Sequence, residues 1–266
     1  DKADIRERIF HGLDSDDTHH TANGFVMGPA GRFYFSRGIF HYENFETPTR
    51  TYRADSGTCG VFRFDPVKFE IDHQFRISPN PHGDCFDQWG RQMVNDGTSG
   101  TGDYVGFPGR GAPKRLFNKR MRPVPATLIL DSDHFPESVR GNMLIENVIG
   151  FQGVMQYKFE EDGASLHASE VETIVYSTDP NFRPSDMEIG GDGALYILDW
   201  QNPLIGHMQH NLRDPSRDKL HGRVYRVTAT GRPTMPVAKM KGKPVAEVVQ
   251  YLGSSTLGER YRARLE

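Results

Sequence analysis

Residues 189–200 read Ile-Gly-Gly-Asp-Gly-Ala-Leu-Tyr-Ile-Leu-Asp-Trp. A tight glycine turn feeds a run of β-formers there, and the run ends on an acid. The phrase has copies upstream: Gly28-Pro-Ala-Gly-Arg-Phe-Tyr-Phe-Ser-Arg-Gly38, Phe86-Asp-Gln-Trp-Gly-Arg-Gln-Met-Val-Asn-Asp-Gly97 and, more loosely, Pro136-Glu-Ser-Val-Arg-Gly-Asn-Met-Leu-Ile-Glu-Asn-Val-Ile-Gly150. Their turn glycines, Gly31, Gly90, Gly141 and Gly193, stand 59, 51 and 52 residues apart. Three copies are followed by a second, alternating strand: Gly60-Val-Phe-Arg-Phe-Asp-Pro66, Gly153-Val-Met-Gln-Tyr-Lys-Phe159 and Gly222-Arg-Val-Tyr-Arg-Val227. Alternation buries one face and wets the other.

A repeat of roughly 50 residues holding several short strands is the unit of a β-propeller, because one such sheet cannot cover both its own faces. The expected fold is all-β, a partial propeller of about four four-stranded blades over residues 1–232. The repeat itself covers 12–232, with Phe33, Val94, Leu144 and Leu195 on inner strands; an irregular β-sandwich is the alternative. Four blades in a row leave two open sheet faces, and no polar cap stands out to cover them. Remaining blades or a partner polypeptide are therefore expected to complete the ring. Beyond Gly231 the pattern breaks. Val245-Ala-Glu-Val-Val-Gln-Tyr-Leu252 carries apolar residues at helical spacing, and Arg260-Tyr-Arg-Ala-Arg-Leu265 opens a further helix, so residues 233–266 read as a linker and helices.

The chain has 266 residues, with 32 basic against 35 acidic side chains and a formal net charge of −3, a balance that excludes the broad basic field of a general nucleic-acid binder. Its 28 glycines and 17 prolines interrupt helices often, while 17 phenylalanines and 10 tyrosines supply a core. No run approaches the ~18 apolar residues of a membrane span, and the opening Asp-Lys-Ala-Asp-Ile-Arg-Glu-Arg has no apolar signal core, so a signal segment is not in this chain. Cys59 and Cys85 exclude a disulfide scaffold and a four-cysteine zinc site; one disulfide and two buried thiols both remain open.

Several long motifs between Gly12 and Arg232 carry a resemblance. Asp16-Asp-Thr-His-His-Thr21, Asn80-Pro-His-Gly83 with Phe86-Asp-Gln-Trp-Gly90, and Asn181-Phe-Arg-Pro184 with the run from Asp192 to His207 resemble the dehydrogenase-like propeller of large planctomycete-type (PVC-type) haem-binding proteins. That resemblance implies a periplasmic or extracellular propeller followed by HEAT-like helical repeats, to which 233–266 would contribute the first helices. It also implies a cytochrome c module with Cys-x-x-Cys-His, whose haem c belongs to a part of the parent protein absent here. A more distant likeness is to sugar dehydrogenases that use pyrroloquinoline quinone, with calcium. In that family a catalytic histidine precedes a Gly-Pro-Asp-Gly-x-Leu-Tyr turn. His20 stands eight residues before Gly28 here, with Ala30 in place of the acid, and Pro79 stands where that family has a quinone-contacting arginine.

Propeller chemistry gathers at one mouth of the central channel. His20, Arg37, Asn80, His82, Asp96, Asn147, Arg183 and Asp199 are the side chains this geometry would collect there. A neutral imidazole such as His20 would take a hydroxyl proton while hydride leaves to an acceptor. Arg37 or Arg183 would hold a quinone carboxylate or a developing oxyanion. The structural alternatives are equally definite: Asp199 as a strand-end carboxylate tying down a loop, and His19 and His20 as fixing an inter-blade turn. His19, His20, His82 and His207 are candidate metal ligands, and Asp14-Ser-Asp-Asp17 and Asp131-Ser-Asp133 candidate calcium turns that do not continue as an EF-hand. The basic stretch Arg110 to Arg122, with Lys114, Arg115, Lys119 and Arg120, reads as an exposed inter-blade loop. Two function classes follow. One is an extracytoplasmic dehydrogenase acting on a carbohydrate or other alcohol and passing electrons to the cytochrome; the other is a propeller that binds a glycan or protein without chemistry.

Overall fold

A computed structural model describes residues 3–17, 19–77, 79–106, 111–118, 124–203, 214–215 and 217–266. In chain order the first unit contains β1 (Asn23–Met27), β2 (Phe33–Arg37), a hairpin of β3 (Glu43–Glu46) and β4 (Thr51–Ala54), β5 (Gly60–Asp65) and β6 (Glu70–Phe75). The order β1-β2-β5-β6 makes the first antiparallel blade, and the hairpin forms its own two-stranded sheet. The second blade is β7 (Pro81–Phe86), β8 (Gln92–Asp96), β9 (Gly102–Val105) and β10 (Lys114–Phe117). The third is β11 (Thr127–Ile129), β12 (Met143–Asn147), β13 (Gly153–Asp162) and β14 (Ser165–Tyr176). The fourth has three strands among the described residues, β15 (Pro184–Ile189), β16 (Leu195–Asp199) and β17 (Arg223–Val227).

The four turn glycines all do the same work. Gly31, Gly90, Gly141 and Gly193 have φ of 76, 76, 81 and 77°, a region open to glycine at little cost. Three turns share one hydrogen-bond pattern: Gly31 N–H donates to Gly28 O, Gly90 N–H to Asp87 O, and Gly193 N–H to Gly190 O, at 2.9–3.0 Å. In the third blade Gly141 closes onto Leu130 across a longer loop.

These turns lead into the second strand of each blade, not the innermost. Phe33, Val94, Leu144 and Leu195 lie on β2, β8, β12 and β16, while β1, β7, β11 and β15 stand side by side around the channel. The innermost strands face the channel and read as polar-interrupted runs such as Pro81-His-Gly-Asp-Cys-Phe86. The second strands β8 and β12 are buried on both faces. Among the described residues the fourth blade holds three strands. After Val227 the chain enters a segment carrying Pro233 and Pro236, which cannot donate to a ladder, and turns away along the blades.

The apolar cores sit between blades. Tyr34, Val61 and Phe75 meet Phe86, Val94 and Val105 across the first seam. Met93, Tyr104 and Phe117 meet Met143, Met155 and Tyr157 across the second, where Phe117 stacks on Tyr157 at 4.2 Å. Leu144 and Val154 meet Met187, Leu195 and Ile197 across the third. The outer face of the first blade has a cover after all. Ile9, Phe10, Phe45 and Tyr52, from the N-terminal segment and the inserted hairpin, pack on Phe35, Phe62 and Phe64. The outer face of the fourth blade leaves the cross-strand pair Leu198 and Val224 exposed.

The tail is helical where expected: α1 (Val245–Val248), a 3-10 turn (Val249–Gly253) and α2 (Leu257–Leu265). It runs along the turn side of the blades. Met235 N–H bonds to the Asp192 carbonyl at 2.8 Å, Leu257 N–H to Asp131 Oδ2 at 2.6 Å, and Arg264 Nη1 to the Pro29 carbonyl at 2.6 Å. One segment thereby ties the fourth, third and first blades together. Cys59 and Cys85 are separate buried thiols. Lys114 and Arg115, expected in a loop, belong to the edge strand β10, and Arg115 pairs with Asp103 at 2.8 Å. Arg110, Lys119, Arg120 and Arg122 lie outside the described residues.

Candidate functional site

Two cavities meet at the beginning of β7. A channel cavity of about 460 Å³ is lined by residues of all four innermost strands, and Leu257, Gly258 and Tyr261 of α2 stand across its far end. A mouth cavity of about 590 Å³ is lined by Asp17, His19, His20, Phe40, Asn80, Pro81, His82 and Thr98. His82 lines both. Its backbone sits in the sequence Asn80-Pro-His-Gly83, where Gly83 has φ of 92° and a Cβ there would run into Asn95 and Thr127. The glycine lets β7 pass close to its neighbours and so fixes where the imidazole stands.

His82 donates to the Pro125 carbonyl, and its buried Nδ1 has no hydrogen-bond partner among the described residues. Burial pushes the imidazole below its ordinary value, against the pull of the Pro125 carbonyl and of Asp186 across the channel. A neutral ring with one N–H committed keeps a lone pair free on Nδ1. Asp186 is raised by burial, opposed by the Met187 N–H and by His82. Glu146, on β12, is 0% exposed with neither carboxyl oxygen hydrogen-bonded among the described residues. Burial, then Asp186 and Asp199, raise it well above the usual carboxylate range.

The expected ring of polar residues divides. His20, Asn80 and His82 come together at the mouth. His20 is 8% exposed; its Nε2 lies 2.6 Å from Asn80 Oδ1, and its Nδ1 lies 3.3 Å from Asp17 Oδ2. Asp96 and Asp199 act as one repeated device. Asp96 Oδ2 accepts from Asn80 N–H at 2.9 Å and Asp199 Oδ1 from Arg183 N–H at 2.8 Å, each pair 16 residues apart at the entrance to an innermost strand. Asp199 Oδ2 also accepts from Arg223 Nε at 2.6 Å. These are strand-end carboxylates tying down the start of the preceding, innermost strand of the same blade. Asn147 is buried at the end of β12 and lines neither cavity.

Neither Arg37 nor Arg183 lines either of these two cavities. Arg37 is 0% exposed and commits all three guanidinium nitrogens within its own blade: Nε to Glu43 at 2.9 Å, Nη1 to the Gly38 and Thr58 carbonyls, Nη2 to those of His41 and Asp55. Its position at the end of β2 suited an oxyanion donor, but Glu43 from the inserted hairpin draws it inward. Arg183 bonds the carbonyls of Phe182 and Pro203, and burial lowers it. The candidate calcium turns are spent on backbone caps: Asp14 on Ser15, Asp16 and Tyr42, Asp17 on His19, and Asp131 on Leu257. Among the described residues no group of three or more histidines, cysteines or acids is placed to hold a metal. His207 lies outside them.

Sequence reading did not single out Glu146, Asp186 or Phe40. Glu146 had one signal, an acid inside the apolar strand Met-Leu-Ile-Glu-Asn. Asp186 had none, since only the closure of four strands brings it opposite His82.

A family described as Domain of unknown function (DUF7133) matches residues 1–122 and 117–231. No curated protein matches by sequence. Among solved structures, a luciferin-regenerating enzyme is 14% identical with a TM-score of 0.50, covering 85% of this chain and 67% of that one. A putative oxidoreductase (glucose dehydrogenase) from Thermus thermophilus is 18% identical with a TM-score of 0.48, over 77% of this chain. The present chain spans 65% of its length. Regucalcin, a calcium-binding protein from Agrobacterium tumefaciens, is 13% identical with a TM-score of 0.49, covering 86% and 68%. At these identities the likeness is one of fold.

Proposed function

We propose that this chain, which belongs to the DUF7133 domain family, is a dehydrogenase-like propeller that binds a carbohydrate or related polyol at the His20–His82 mouth and removes a hydroxyl proton there. The observation that carries the reading is His82, a buried imidazole kept neutral with a free Nδ1 where the two cavities meet. A general base must be neutral at neutral pH, and the His82 residue lines both cavities. Oxidation then requires hydride to leave to an acceptor, in our reading one served by the cytochrome module of an extracytoplasmic parent protein. His20 is the histidine that the sequence offers as the base. Its Nε2 faces Asn80, so in this reading it fixes the mouth and His82 handles the proton.

The described residues do not fit a tricarboxylate quinone. No arginine or lysine among them lines either cavity, and three carboxylates would stand without a counter-charge. The same observation favours the second reading, a mouth that binds a glycan without chemistry. Dye-linked oxidation of a panel of aldoses and polyols by the full-length protein separates the two. Turnover lost in His82→Gln with the melting temperature held supports the base; calorimetric binding with no turnover in the wild type supports the binding mouth.

A further inference from the structure

Among the described residues of the mouth, Phe40 has a backbone and a side chain that both sit where packing alone would not put them. Its φ is 69°, a left-handed conformation that a bulky residue adopts only under constraint. The residue is nevertheless 58% exposed, so burial does not hold it there. It lines the mouth cavity, 5.6 Å from the His20 ring at an interplanar angle of 37°.

The constraint comes from the residues around it. Gly38 N–H bonds to the His20 carbonyl at 3.0 Å, Ile39 N–H to the Pro79 carbonyl at 3.2 Å, and Phe40 N–H to the Ser56 carbonyl at 3.0 Å. Beneath the loop Arg37 grips the carbonyls of Gly38 and His41. On its far side the His41 ring bonds the Asp17 carbonyl at 2.7 Å, and Tyr42 N–H bonds Asp14 Oδ2 at 2.7 Å. A buried arginine and an inserted hairpin thus hold one exposed aromatic ring in a strained pose over the candidate site.

We propose that Phe40 is a stacking platform for the apolar C–H face of a pyranose ring whose hydroxyls reach Asn80, His82 and Asp17. The reading rests on the carbohydrate site proposed above and adds to it the residue that selects ring shape. An aromatic face carries partial negative charge and attracts the polarised axial C–H bonds of a sugar. The surrounding groups suit a neutral polyol. They are amide, imidazole and hydroxyl, with no cation among the described residues and one carboxylate, Asp17, which the His19 N–H holds below the usual range and so keeps as an acceptor.

Isothermal titration of the full chain with methyl β-D-glucoside and with D-glucitol tests this, since the two share hydroxyl chemistry and differ in having a ring. Phe40→Ala and Phe40→Gly should weaken glucoside binding about tenfold and leave glucitol unchanged. Phe40→Trp should keep glucoside binding and show an emission change on its addition beyond that of the wild type. Phe40→Gly should melt at or above the wild-type temperature, because glycine relieves the strained φ and little buried surface is lost. Glucoside binding that survives Phe40→Ala, or a Phe40→Gly variant that melts lower with binding intact, overturns the platform and leaves the carbohydrate site standing. Wild-type protein that binds neither compound overturns both, whereas ring-selective binding without dye-linked turnover overturns only the oxidation.

Discussion

His20 Nε2 and Asn80 Oδ1 meet at 2.6 Å across the seam between the first and second blades, sixty residues apart. Asn80 is itself anchored through its N–H to Asp96 and through its carbonyl to Gly97 N–H at 2.8 Å. Removing Asn80 leaves the buried His20 Nε2 without this partner, and removing His20 leaves the half-buried Asn80 Oδ1 without it. Asn80→Ala should cost about 1–3 kcal/mol of stability by leaving the buried His20 ring unpaired, and His20→Ala should cost stability chiefly through its own lost bond and packing. The double variant should cost less than the sum of the two, as expected for groups in contact. Urea unfolding of the four proteins checks this; strict additivity would show that the bond does not couple the blades.

Glu146 gives a pH dependence of definite sign. It is raised well above 4.5 in the folded chain by burial, Asp186 and Asp199, while in the unfolded chain it titrates near its ordinary value. Its stabilising contribution is present below the unfolded value and is lost as pH rises toward the folded one, because there the unfolded state sheds the proton that the folded state keeps. Asp84, also raised by burial, acts in the same direction. Glu146→Gln should flatten the fall in stability between pH 5 and 8 and narrow or reverse any disadvantage of the variant as pH rises. Melting curves across that range provide the measurement.

The turn glycines separate conformational strain from crowding. Gly31 has φ of 76° with nothing within 4 Å of an added Cβ, so Gly31→Ala isolates the left-handed penalty, about 1 kcal/mol. Gly193 has φ of 77°, and a Cβ would meet Met235 and Ser132 at 2.7 Å, so Gly193→Ala should cost clearly more and loosen the tail as well. Chemical denaturation ranks the two; equal losses would count against the contact of the tail with the fourth blade.

The exposed pair Leu198 and Val224 marks the outer face of the fourth blade. An uncovered apolar sheet face favours association. The 266-residue chain alone should self-associate as concentration rises, and Leu198→Lys with Val224→Lys should reduce this. Sedimentation velocity over a range of concentrations reads the outcome, and a strictly monomeric wild type would sink the expectation.

The number of blades was written in the sequence because the turn at each blade needs a glycine at positive φ, and that local requirement repeats wherever the blade does. Gly31, Gly90, Gly141 and Gly193 report it directly. The strand-end role of Asp199 was legible for the same reason, since Asp96 repeats it at the same 16-residue separation. Local patterns do not state which side of a residue the rest of the chain will fill. Arg37 stands at a strand end that suited a ligand-binding cation, and the hairpin carrying Glu43 turned it into the core. His82 is kept neutral only once the packed blades bury its ring, against the pull of the Pro125 carbonyl and of Asp186, which come from two other blades. Burial and charge are sums over neighbours distant in the chain, and those sums exist only once the blades have packed.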